Sequence, residues 1–253
     1  MSKGPLWSTA WITGASSGFG LEIAQRLAAQ GTRVAVSARS AEKLEVLCAR
    51  NPNLVAFPLD VRDTAASARV AEEVMATLGV PELVLLNAGV GIFKGAARFD
   101  AELFRSAVET NVIGIGNALG SIIPPMVERG SGHIALMGSL ASFRGFPRAA
   151  HYAPTKSAVR SLAECLYLDL QPKGIDITLI NPGYVETALT DGVDMPMPGL
   201  MKLDRATEIM LKGLAKRRYE IAFPTRMEVL VKLGMRVPNR TYFRFARWVM
   251  GSA

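Results

Sequence analysis

Leu6-Trp-Ser-Thr-Ala-Trp-Ile12, then Thr13-Gly-Ala-Ser-Ser-Gly-Phe-Gly20, then Leu21 to Gln30, is read as a strand, a glycine-rich turn and a helix, in that order. The helix places Ile23, Ala24, Leu27 and Ala28 on one side, and Gly31 ends it as a C-cap. A glycine turn between a strand and a helix suits a pyrophosphate. Small residues let the backbone come close, and the helix N-terminus offers free N–H groups and a positive dipole. The spacing here is Gly-x-x-x-Gly-x-Gly through Gly14, Gly18 and Gly20, which differs from the strict Gly-x-Gly-x-x-Gly fingerprint.

Outward from this turn the same alternation repeats. Arg33 to Arg39 reads as a second strand, Glu42 to Arg50 as a helix, Leu54 to Leu59 as a third strand and Asp63 to Leu78 as a helix N-capped by Asp63. Glu82 to Leu86 is apolar throughout, as a central parallel strand should be. One long helix is expected from Phe99 to Pro124, with Asn111 inside it. His133 to Met137 and Ile175 to Ile180 read as further strands, with the helix Ala153 to Leu170 between them. Six strands alternating with helices predict an α/β fold: a doubly wound, Rossmann-like parallel sheet in three layers, forming a single domain over residues 1–253. In such sheets, sites gather at the carboxyl ends of the strands. The glycine turn, Arg39, Asp60, Asn87-Ala-Gly89, Ser139 and Pro182-Gly183 all fall at such ends.

The second strand ends Ser37-Ala-Arg-Ser40, without the carboxylate that would take the ribose hydroxyl of NAD. Arg39 suits a 2′-phosphate instead, so the expected cofactor is NADP. The richest stretch for chemistry runs from Ser139 to Lys156 and ends Tyr152-Ala-Pro-Thr-Lys156. Four residues apart on a helix, Tyr152 and Lys156 share a face. An ammonium beside a phenol is expected to lower the tyrosine pKa from about 10, which suits a general acid–base. Ser139 offers a hydroxyl to the substrate oxygen. His133, at a strand entry, is expected to be structural.

Composition narrows the function classes. The chain has 253 residues, 49% of them apolar and 20% charged, which supports a large core. The net charge of +7 is uneven. Residues 1–213 hold 20 basic and 20 acidic side chains, whereas Leu214 to Ala253 hold 9 basic and 2 acidic. The body has no basic excess, so no nucleic-acid partner is expected. Cys48 and Cys165 fit no zinc spacing and no disulfide framework, and are expected to be buried thiols. No metal site is expected. With no signal-peptide core and no membrane span, the expected location is the cytoplasm.

Thr13-Gly-x-x-x-Gly-x-Gly20, Asn87-Ala-Gly89, Asn111, Ser139, Tyr152-x-x-x-Lys156 and Pro182-Gly183, in this order, resemble the short-chain dehydrogenase/reductase family in its compact single-domain branch. The resemblance implies an oxidoreductase that moves a hydride between NADP(H) and a carbonyl or secondary alcohol. It implies that Tyr152 is the general acid–base, that Lys156 lowers its pKa and binds the nicotinamide ribose, that Ser139 positions the carbonyl, and that Asn111 holds a water in the proton relay. It places Gly14, Ser16, Ser17, Gly18, Phe19 and Gly20 around the pyrophosphate and adenosine, and Arg39 and Ser40 at the 2′-phosphate. Asp60 and Val61 meet the adenine, Asn87, Ala88 and Gly89 form a cofactor wall, and Pro182, Gly183, Val185 and Thr187 line the nicotinamide side. Two features depart from the commoner pattern. Phe19 replaces a branched aliphatic, and Asn-Ala-Gly is the shorter form of its motif. The family also implies a homodimer or homotetramer built through the helices around Asn111 and Tyr152.

Residues about 186–212 correspond to the family's substrate lid. Met195 and Met197, with Phe143 and Phe146 before the tyrosine, predict an apolar pocket for a steroid-like, terpenoid or acyl-chain carbonyl. The segment from about 225 to 253 is a basic tail, read as two short helices broken at Pro238. It either packs on a neighbouring subunit, covers the substrate pocket, or rests peripherally on an anionic membrane. The alternative functions are a non-catalytic NADP-binding sensor and a membrane-recruited interaction protein.

Overall fold

The computed structural model describes residues 4–191 and 196–250, with only the backbone of Met250. Met195 therefore lies outside the described residues. In chain order the elements are β1 (Thr9–Thr13), α1 (Gly18–Ala29), β2 (Arg33–Ser37), α2 (Ala41–Cys48), β3 (Leu54–Ala56), α3 (Thr64–Leu78) and β4 (Leu83–Leu86). Then follow α4 (Ala101–Val108), a π-turn (Glu109–Ile113), α5 (Gly114–Arg129), β5 (Gly132–Met137), α6 (Ala153–Leu170), β6 (Ile175–Pro182), α7 (Leu203–Ala215), β7 (Glu220–Phe223), α8 (Thr225–Gly234) and α9 (Asn239–Met250).

The strands form one seven-stranded sheet in the order β3-β2-β1-β4-β5-β6-β7, and every pair is parallel. The chain winds outward from β1 through β2 to β3, returns to the far side of β1 as β4, and continues outward to β7. β1 and β4 are thus neighbours whose connections leave in opposite directions, which opens a crevice at their carboxyl ends. Side-chain alternation fills both faces of the sheet. Ala10, Ile12, Val34, Val36, Leu83 and Leu85 face a core closed by α1 and α7. Trp11, Ala35, Val84, Leu86, Ile134 and Leu136 face another, closed by α3, α5 and α6. Gly31 has φ 94°, the left-handed region a helix-ending glycine supplies cheaply. Asp63 caps α3 by accepting from the Ala66 N–H at 2.9 Å.

Several expectations are corrected here. The sheet has a seventh strand, because the short Glu220–Phe223 run at its edge carries too little pattern to stand out. The third strand closes at Ala56, although the Phe57 and Leu59 N–H groups still reach the Val36 and Ala38 carbonyls. The long helix from Phe99 is broken by the π-turn at Asn111, and it runs past Pro124 and Pro125 to Arg129 because buried Ile122 and Met126 hold it in the core. The second half of the expected lid is α7, which packs Ala206, Met210 and Leu214 into the core. Cys165 is exposed, whereas Cys48 is half-buried. His133 lies fully buried against Thr178, at 2.8 Å. The Thr178 hydroxyl donates to the Arg218 carbonyl, so the imidazole Nε2 carries the proton they share.

Among the described residues, no group of three or more His, Cys, Asp or Glu is placed to hold a metal ion. No helix among them is long and apolar enough to cross a membrane.

Candidate active site

A cleft of about 630 Å³ runs along the carboxyl ends of β1, β2, β4, β5 and β6. At its floor the Asn87 amide donates to the Thr13 and Gly14 carbonyls, at 3.0 and 3.2 Å, binding the ends of β1 and β4 together. Gly14 sits there with φ 69°, and a Cβ would come within 2.8 Å of the Ala88 Cα. Only glycine satisfies both conditions. α1 begins beside this floor. Its N-cap, Ser17, forms no side-chain cap, and its first turn holds no acidic residue. The positive end of the helix and its unbonded N–H groups therefore face the cleft, where an anion fits.

Asn111 is fully buried in the π-turn. Its amide donates to the Val90 carbonyl at 2.9 Å and the Thr155 hydroxyl at 3.0 Å, and it accepts from the Val90 N–H at 2.8 Å. The side chain thus clamps the loop after β4 to the first turn of α6. Ser139 closes β5. Its N–H donates to the Asn181 side chain at 3.0 Å, and Asn181 in turn donates to Glu220 at 2.9 Å. Lys232 on α8 pairs with that same carboxylate at 2.6 Å.

Tyr152 and Lys156 lie at the inner end of the cleft, 7% and 4% exposed. The Lys156 ammonium donates to the Met137 carbonyl at 2.8 Å and stands 5.8 Å from the centre of the tyrosine ring. The expected fall in the phenol pKa is corrected: burial pushes Tyr152 up to about 12, although the hydrogen bond with Ser139 pulls the other way. Burial lowers Lys156 to about 8. With the ammonium 5.8 Å from the ring centre and shared with the Met137 carbonyl, desolvation is the largest influence on the phenol. Gly89 borders the ammonium, and a Cβ there would press on the Asn111 side-chain oxygen at 3.1 Å. That buried ammonium has donor capacity beyond Met137, and it lies at one end of a cleft whose other end is a helix N-terminus. Such a donor set fits a dinucleotide.

Of the expected residues, Gly14, Ser16, Ser17, Gly18, Phe19, Arg39, Asp60, Val61, Asn87, Ala88, Gly89, Ser139, Tyr152, Lys156, Pro182, Gly183, Val185 and Thr187 line this one cleft. Gly20 lies beneath it, with a Cβ position only 2.4 Å from the Gly14 carbonyl oxygen. Ser40 caps α2 through the Lys43 N–H. Phe143 does not line the cleft. Its ring lies under the Arg160 guanidinium at 5.2 Å and the Lys232 ammonium at 5.6 Å. Phe146 packs behind Tyr152 with Ala149 and Ala153, and Met197 is half-buried outside the cleft lining.

The sequence reading missed Arg62, Val90, Gly91 and Leu189, which also line the cleft. It also missed Phe93, whose ring centre is 5.1 Å from that of Tyr152. A Cβ on Gly91 would meet the Leu189 side chain at 2.7 Å, so the chain after β6 folds down onto the loop after β4. Only Arg62 carried a signal, as a second cation two residues past Asp60. It pairs with that carboxylate at 2.6 Å.

The profile of the family described as short chain dehydrogenase matches residues 8–196. An uncharacterized oxidoreductase of Myxococcus xanthus is 36% identical over 245 residues, which cover 95% of this chain and 97% of that protein. The crystal structure of an alcohol dehydrogenase from Thermococcus sibiricus, complexed with 5-hydroxy-NADP, superposes with a TM-score of 0.77 at 28% identity, over 85% of this chain and 95% of that one. A 3-ketoacyl-(acyl-carrier-protein) reductase from Brucella melitensis, complexed with NADH, gives 0.78 at 27% identity, over 85% and 96%. The profile takes in the glycine turn, the Asn111 clamp and the Ser139–Tyr152–Lys156 cluster together, and this chain belongs to the short-chain dehydrogenase family, the NAD(P)-dependent dehydrogenases and reductases.

Proposed function

We propose that the protein is an NADP-dependent reductase of bulky apolar ketones or aldehydes, running in reverse on the corresponding alcohols. The observation that supports the reaction most directly is the meeting of Ser139, Tyr152 and Lys156 at the buried end of the cleft. NADPH held there would supply the hydride for the carbonyl carbon. The Tyr152 phenol, protonated at neutral pH, gives its proton to the carbonyl oxygen, and the Ser139 hydroxyl holds that oxygen in place. Lys156 holds the nicotinamide ribose and keeps positive charge near the developing alkoxide. Asn111 orders the loop that borders this point and holds a relay water.

The choice of NADP rests on Arg39. It is exposed at the adenosine end of the cleft, Arg62 lies nearby, and the local carboxylate, Asp60, is already paired with Arg62. With Asp60 offset by Arg62, the Arg39 guanidinium favours a 2′-phosphate. The apolar substrate is supported by Phe93 beside Tyr152, by Phe146 behind it, and by Leu189 over Gly91. The span between β6 and α7, with Met197, acts as the lid, and the helices α5 and α6 pair copies into a dimer or tetramer.

The test is NADPH consumption across ketones and aldehydes of graded apolar size. Turnover is expected to rise with apolar bulk, and Tyr152→Phe is expected to lose at least about a hundredfold in kcat. NADPH that binds without turnover on any carbonyl would overturn the enzyme reading in favour of a cofactor-binding sensor.

A further inference from the structure

Among the described residues, α9 is fastened by one face and exposed on the other. On the inner side Ala246 is buried, the Tyr242 hydroxyl donates to the Gly145 carbonyl at 2.9 Å, and the Arg144 guanidinium lies 4.0 Å over the Tyr242 ring. On the outer side stand Phe245 and Trp248, ring centres 6.2 Å apart, with Trp248 81% exposed. Arg240, Arg244 and Arg247, spaced three and four residues apart, form a stripe along the flank of these rings. The neighbouring α8 exposes Val229, Leu230 and Leu233.

The charges decide what fits this surface. The segment from Leu214 holds 9 basic and 2 acidic residues. Both acids, Glu220 and Glu228, pair with Lys232. Among the described residues, no ion pair engages Arg240, Arg244 or Arg247. A second copy docking face to face would set one arginine stripe against another. A layer that is apolar inside and anionic at its surface satisfies both halves of the helix: aromatic rings sit at headgroup depth while arginines reach phosphates.

We propose that the outer face of α9, with the exposed end of α8, seats this protein on an anionic phospholipid bilayer. Phe245 and Trp248 enter the interface, and Arg240, Arg244 and Arg247 meet the lipid phosphates. The surface lies apart from the catalytic cleft, so the inference stands independently of the substrate and cofactor.

Tryptophan fluorescence tests it directly. Of the chain's 3 tryptophans, Trp7 and Trp11 are 2% and 0% exposed, so Trp248 alone reports on the surface. The full-length protein is mixed with vesicles of phosphatidylcholine alone or with a quarter phosphatidylglycerol. Sedimentation with the anionic vesicles only, with a blue shift in emission, is the expected result. Phe245→Ser/Trp248→Ser and Arg240→Gln/Arg244→Gln/Arg247→Gln should each weaken sedimentation at least about tenfold, with NADPH turnover on a soluble carbonyl unchanged. No anionic binding at low salt, equal binding to both vesicle types, or binding that survives both variants would overturn the proposal. So would a dimer in light scattering that the Phe245/Trp248 variant dissolves, which would assign the face to a second copy.

Discussion

Burial acts on Tyr152 and Lys156 in opposite chemical senses, and this sets how the site responds to pH. The phenol is held up at about 12 and stays protonated through the neutral range, ready to donate. The ammonium is brought down to about 8, so its charge is lost as pH rises through that value. For carbonyl reduction, kcat/KM for the cofactor reports groups of the free enzyme. It should be level below pH 8 and fall above it, through loss of the Lys156 charge rather than of the Tyr152 proton. Lys156→Arg keeps a charge that does not titrate in this range and should remove the fall, whatever it does to the absolute rate. A decline near pH 8 that persists in Lys156→Arg would assign it elsewhere.

At the level of elements, the edge strand β7 reaches Ser139 through a relay of side chains. Glu220 on β7 accepts from Asn181 on β6, and Asn181 holds the Ser139 N–H at the end of β5. Lys232 on α8 closes the other side of the carboxylate. Glu220→Ala strands the Asn181 amide and leaves Lys232 paired with Glu228 alone. It should cost about 1–3 kcal/mol, the penalty for a part-buried polar group left unpaired. Because Ser139 then loses its anchor, kcat should fall while cofactor Kd stays put. Denaturant unfolding and cofactor titration check the two halves, and an unchanged kcat would show that the relay is structural only. The π-turn between α4 and α5 carries Asn111, buried and bonded to Val90 and Thr155.

For the whole molecule, the cleft draws its walls from strands on both sides of the sheet's reversal, so a ligand there braces the two halves at once. A dinucleotide present at about a hundred times its Kd stabilises the native state by about 2.7 kcal/mol. In a chain of this size that is a rise of roughly 5–10 °C in Tm. NADPH should produce this shift at lower concentration than NADH, and Arg39→Ala should erase the difference. A thermal melt with each cofactor measures it, and equal shifts in the parent protein would remove the NADP preference. The arginines of α9 lie on a separate surface and should leave these shifts unaltered.

The alternation of apolar runs with glycine-ended helices determined the α/β sheet from the sequence alone, because each strand buried on both faces must be apolar along its length. The same local chemistry marked Gly14, Asn87, Ser139, Tyr152 and Lys156, which all stand at strand ends or on the first turn of a helix. What sequence could not reveal depends on contact between distant segments. Leu189 over Gly91, Phe93 against Tyr152, Glu220 behind Asn181, and Phe143 turned from the cleft toward Arg160 are decided by how the loops pack. The tyrosine pKa belongs with these. Four-residue spacing predicts an ammonium beside a phenol, but only the folded site shows how far both are removed from water, and desolvation outweighs the charge.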